Sequence, residues 1–138
     1  MTPNKGRVYF RLAGYHFHPD EITRLLEIEP TTTDASGANS SLDKPVVSSW
    51  ELSTDMATDE VDVYKMSRAI LKQLEPAKDG ILEAIKSYNL SPCMGVVLVL
   101  SVDKDESCPE VGFGARVTRF MADVGSFINV EYELSERT

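Results

Sequence analysis

The sequence predicts an α+β protein. It reads as a two-layer sandwich whose sheet of about four strands, mainly antiparallel or mixed, carries its helices on one face. Two patterns lead there. Three of the four β-segments alternate apolar and polar residues, so one face of the sheet stays polar. A doubly wound parallel sheet, covered on both faces, would show continuous apolar runs instead. With one face wet, the helices must gather on the other.

The elements follow in order. "RVYFRLA" sets Val8, Phe10 and Leu12 against Arg7, Tyr9 and Arg11, a half-buried strand. In "HPDEITRLLEI", Pro19 stands at a first helical position with acids in the first turn, and Ile22, Leu25 and Leu26 follow at helical spacing. Residues 30–48 are almost all turn formers and read as a long loop, either simply mobile or a partner-binding flap in which threonines 31–33, Ser40 and Ser41 offer hydrogen bonds. "SSWELS" alternates Trp50 and Leu52 against Ser49 and Glu51. From Asp59 to about Leu74 a helix repeats Val63, Met66, Ile70 and Leu74, Glu75-Pro76 interrupts it, and "KDGILEAIKSYNL" continues through Ile81, Leu82 and Ile85. "CMGVVLVLSV" is apolar at nearly every position and belongs centrally in the sheet. "GFGARVTRFMADVG" predicts a turn and a short helix stopped near Gly125. "FINVEYEL" closes the chain with Ile128, Val130, Tyr132 and Leu134 on one face. That makes four strands and three helical regions, with residues 1–138 read as one domain.

Composition narrows the function. The chain holds 14 Lys+Arg against 22 Asp+Glu, a formal net charge of −8. Such a balance offers no dense basic stripe for a phosphate backbone and no attraction to anionic lipid, so neither nucleic acid nor membrane is expected as a partner. No apolar run approaches the roughly 18 residues of a membrane helix. The first residues, "MTPNKGRVYF", lack the apolar core of a secretory signal. Cys93 and Cys108 lack C-x-x-C spacing and read as free thiols in a reducing cytoplasm.

The candidate sites are few. Both histidines fall in "GYHFHPDEI". His16 and His18, two apart at a strand end, could point the same way and hold a metal, and "HFHPDE" is similar to the H-x-H-x-D-H box of the metallo-β-lactamase-like hydrolases. Glu21 stands at the last histidine of that box, however, and no further histidine exists, so the preferred reading has His18 or Asp20 capping a helix and no metal or other cofactor bound. In "EVGFGARV", Gly112 and Gly114 before a helix could present backbone N–H groups to an anion beside Arg116. Val97 and Val99, beside Tyr9 on the open face of the sheet, form an apolar strip suited to an interface or a groove floor. Trp50 completes the set of partner-binding candidates, although it also anchors its strand in the core. No nucleophile has a base beside it by any recognisable pattern, and the acids of "DKDESCPE", Asp103, Asp105 and Glu106, read as a solvated loop.

The order of "RVYFRLAG…HPDEITRLLEIEPT", "SSWELS", "ILKQLEPAKDGILEAI", "GFGA" and "INVEYEL", from about Arg7 to Leu134, resembles the bacterial domain-of-unknown-function family 4279. This chain carries Ser36-Gly37 where members of that family have a lysine-glycine pair after the "P-T". The resemblance implies a small α+β domain from bacteria and supplies no activity, cofactor or catalytic residue. Charge and residue content then point to a non-enzymatic protein-interaction module with a protein partner or a second copy of itself. An immunity-type protein that neutralises a basic toxin is its sharpest form. The alternative is a small-molecule-binding or catalytic domain using the 112–116 turn and the open sheet face.

Overall fold

The computed structural model describes residues 3–39, 43, 45–103 and 106–135. Five strands form one mixed sheet in the order β2-β3-β1-β4-β5. They are β1 (Lys5–Tyr15), β2 (Thr32–Asp34), β3 (Val47–Ser53), β4 (Ser91–Leu100) and β5 (Phe127–Leu134). All neighbours pair antiparallel except β4 and β5, which run parallel. The helices are α1 (Pro19–Leu26), α2 (Val63–Leu74), α3 (Lys78–Tyr88) and α4 (Ala115–Val124). A 3-10 turn over Glu75–Ala77, built on Pro76, joins α2 to α3, so the helices form three regions. Proline has no amide proton to continue the ladder, which explains the break.

The helices lie on one side of the sheet. Val8, Phe10 and Leu12 of β1, Trp50 and Leu52 of β3, and Met94, Val96 and Leu98 of β4 are buried against Ile22, Ile70, Leu74, Ile81, Val117 and Phe120 from the helices. This is the face expected from the alternation. At the centre Phe10 meets Phe120 edge to face, ring centroids 6.3 Å apart. Trp50 is wholly buried, and its indole N–H donates to the Thr23 hydroxyl at 3.1 Å, tying β3 to α1. Trp50 is therefore a core residue and is withdrawn from any surface that a partner could reach.

Local signals set most of the boundaries. His18 caps α1 by accepting from the Asp20 amide at 3.2 Å, and Pro19 opens the helix. The helix expected from Asp59 begins instead at Val63, because the Asp62 carboxylate accepts from the Lys65 amide at 3.0 Å and ends the extended approach there. Asn89, with φ of 54°, ends α3, and Gly125, with φ of 72°, ends α4. Behind Gly125 the Ser126 amide returns to the Met121 carbonyl at 2.8 Å, the reversal that a left-handed residue makes possible.

As expected, β4 lies inside the sheet, flanked by β1 and β5, while two other readings need correction. β4 starts two residues earlier than the apolar run suggested. Residues 30–48 are not an unstructured loop throughout, since β2 pairs Thr32, Thr33 and Asp34 with Glu51, Trp50 and Ser49. The Thr31 hydroxyl also exchanges hydrogen bonds with the Ser53 backbone, so that threonine and those of β2 fasten the segment to β3. Ser40 and Ser41, the other half of the expected flap, lie outside the described residues, as does Asp105.

Candidate functional site: the uncovered sheet face

The odd-numbered residues of β1 point away from the helices, and the register aligns them with their neighbours in rows. Phe127, Cys93, Arg11, Glu51 and Thr32 form one row across all five strands. Asn129, Gly95, Tyr9 and Ser53 form the next, followed by Glu131, Val97 and Arg7, then Glu133, Val99 and Lys5. Tyr15 and Val47 pair at the opposite end, both exposed.

Tyr9 is the anchor of this surface. Although it lies on the uncovered side, its relative exposure is 0%. Its ring is laid across Gly95, where a Cβ would fall inside the ring, and its hydroxyl reaches Asn129, whose amide donates to it at 3.4 Å. A glycine in mid-strand weakens a sheet, and an aromatic ring from the neighbouring strand restores the missing cover. The Arg7 and Arg11 guanidiniums lie against the same ring, 5.1 and 4.7 Å from its centroid. Contacts of this kind contribute about 0.5–2 kcal/mol each, more as water is excluded.

Glu51 holds both arginines. Arg7 Nη1 donates to Oε2 at 3.1 Å, and Arg11 Nε and Nη2 both donate to Oε1 at 3.2 Å. The Thr32 hydroxyl adds a fourth donor at 3.4 Å. The carboxylate sits almost buried and saturated, which is the condition for keeping a charge out of water. Beside it the Cys93 thiol is buried under Tyr9. Burial pushes that thiol above its ordinary range, against the opposing pull of the Arg11 charge and a hydrogen bond from the Tyr9 hydroxyl. The Tyr9 phenol is likewise pushed up by burial, against the Asn129 hydrogen bond and the Arg11 charge. Both groups stay protonated at neutral pH, and Cys93 is no thiolate nucleophile.

The structure therefore brings Tyr9, Val97 and Val99 onto one face, as expected, but the two valines are half-buried between cationic β1 and acidic β5 instead of standing out as an apolar strip. The polar members of the cluster, Arg7, Arg11, Glu51 and Asn129, were not among the sequence candidates. The signal was the alternation itself, which put three charged side chains on the solvent faces of two strands that pair.

The remaining candidates lie elsewhere. His16 has φ of 59°, so the chain leaves β1 at Tyr15 and the two-residue repeat that would align His16 with His18 is broken. Among the described residues no group of three or more His, Cys, Asp or Glu side chains is placed to hold a metal ion. Gly112 packs beneath the Tyr64 ring, and Gly114 is the N-cap of α4 with no side chain capping it. Arg116 grips Glu75 through both ends of its guanidinium, Nε to Oε2 at 2.9 Å and Nη2 to Oε1 at 2.8 Å. It also borders a groove of ≈ 510 Å³ between α2 and α4, whose other walls are Lys65, Arg68 and Lys72 over Ala69. These cations recur at helical spacing along one face of α2, a local basic stripe hidden by the acidic total.

Two outcomes are expected. Gly95→Ala costs about 1–3 kcal/mol in urea unfolding because the ring above it cannot move without disturbing both arginines. In a Tyr9→Ala background the same change costs far less; additive losses would show that the ring and the glycine are uncoupled. Toward a thiol reagent at pH 8, exposed Cys108 reacts at once, and buried Cys93 reacts only as the chain unfolds, so Cys108→Ser removes the fast phase entirely.

A search of curated proteins and a search of solved structures each return no significant match. A family model described as "Domain of unknown function (DUF4279)" matches residues 4–135, which takes in every strand and helix above and the whole uncovered face. The chain belongs to that family.

Proposed function

We propose that the chain is a non-enzymatic protein-interaction module of the bacterial cytoplasm, and that it meets its partner with the uncovered sheet face. The observation that carries the reading is the locked Arg7–Tyr9–Arg11–Glu51 cluster at the centre of that face. Arginine and tyrosine are the residues that interfaces favour at their centres. Held in place beforehand, they lose little side-chain freedom on binding. Exposed Tyr15 and Val47 add apolar surface at one end. The chemistry argues against catalysis at this cluster, since its carboxylate is saturated by donors and its thiol is buried and protonated. Two free thiols fit a reducing compartment. The net charge of −8 favours a basic partner, and an immunity-type protein bound to a basic toxin is the sharpest version of the proposal.

One observation favours a second reading. The groove walled by Lys65, Arg68, Lys72 and Arg116 has the size and charge for a small polyanionic ligand. Arg68 and Lys72 have no carboxylate within ion-pair distance among the described residues, so both remain available to one.

Affinity capture with the wild-type chain is expected to retain a protein that Tyr15→Ser/Val47→Ser no longer holds; a wild-type chain that brings down nothing but itself overturns the interaction reading. For the groove, inorganic tripolyphosphate is expected to raise the melting temperature if the second reading is right, and Arg68→Glu/Lys72→Glu to abolish the shift. A melting curve unmoved by tripolyphosphate removes it.

A further inference from the structure

The two edges of the sheet are built very differently. β2 is only three residues long, which leaves little for another strand to pair with. β5 runs for eight residues, Phe127–Leu134, and holds no proline, glycine, lysine or arginine to blunt it. It is last in the sheet order, and its long side away from β4 is unpaired among the described residues. It also carries some of the largest apolar exposures in the molecule: Ile128 at 49%, Tyr132 at 68% and Leu134 at 70% on the helix side, with Phe127 at 54% on the other. The helix layer leaves these side chains about half or more exposed. An open edge of about 26 Å with exposed apolar groups is a template for strand addition.

The charges on β5 indicate what pairs with it. Its only charged side chains are Glu131 and Glu133, both on the uncovered face, while Ile128, Val130, Tyr132 and Leu134 alternate with them. A second copy would bring two more glutamates to the same seam and another −8 of net charge. A strand alternating basic and apolar residues answers both faces at once, setting Lys or Arg opposite the glutamates and apolar groups opposite Tyr132 and Leu134.

We infer that β5 binds an extended basic segment of a protein partner by β-strand addition, widening the sheet and its uncovered face. The inference rests on the interaction-module reading, and names the edge and the chemistry by which the contact is made.

Fluorescence anisotropy with a labelled octapeptide of alternating lysine and valine tests it, beside a glutamate–valine octapeptide as control. The lysine peptide alone is expected to bind, more weakly as salt rises. Glu131→Lys/Glu133→Lys should cost about tenfold in affinity. Tyr132→Ser/Leu134→Ser, also at exposed positions, should weaken binding without changing the melting temperature. Amide hydrogen exchange should slow across residues 127–134 when the peptide is bound. Equal binding by the charge-reversed variant, or protection confined to other elements, overturns the inference. So does a wild-type dimer that Tyr132→Ser/Leu134→Ser disperses, because the occupant would then be a second copy. A captured partner that Glu131→Lys/Glu133→Lys still retains would leave the interaction module standing and remove the strand-addition claim.

Discussion

The fold depends on the two-residue alternation of β1. Because β1 is the middle strand, its even-numbered residues must fill the core while its odd-numbered residues face the side that no helix covers. A slip of one residue would place Arg7, Tyr9 and Arg11 under α2 and α4 and expel Val8, Phe10 and Leu12. The register is held from both flanks. Phe10 meets Phe120 on the covered side, and Tyr9 lies on Gly95 on the other. Packed on Gly95 and covered by Arg7 and Arg11, the solvent-side Tyr9 is as thoroughly buried as any core residue.

Much of this was legible in the residues alone. The α+β class, the one-sided helix layer, the helix stop at Gly125 and the proline break after Leu74 all followed from local patterns with local causes. What was hidden needed partners distant in sequence. β2 is too short to have a period, and it exists because Thr32–Asp34 meets β3. Glu51 reads as an ordinary solvent-facing glutamate until pairing sets it between arginines 40 and 44 residues away. Trp50 looked like a candidate for a partner because it is the only tryptophan, but its bond to Thr23 shows that it serves the core. The basic stripe on α2 was visible at spacings of three and four, and was overlooked because the total charge pointed the other way.

The central cluster also shows how a surface can be highly ordered and chemically quiet. Catalytic sites tend to hold a titratable group in a state that costs energy, so that proton transfer or attack releases it. Here the two arginines share one carboxylate that holds both in place, and burial keeps the Tyr9 and Cys93 protons on. Such a surface offers a fixed shape and a fixed pattern of donors to whatever rests on it, and that is the property recognition requires. The groove between α2 and α4 is different in kind: Arg116 at its rim is paired with Glu75, but Arg68 and Lys72 have no carboxylate within ion-pair distance among the described residues.

The asymmetry of the sheet edges has a consequence for the solubility of the chain in crowded surroundings. Head-to-tail stacking of sheets into a filament requires every copy to offer a usable edge at both ends. With β2 reduced to three residues, that end offers little to pair with, so the strand addition inferred at β5 would find scant edge on which to propagate. On the strand-addition inference the molecule would accept one strand and then stop, which separates a sticky surface from an amyloid seed.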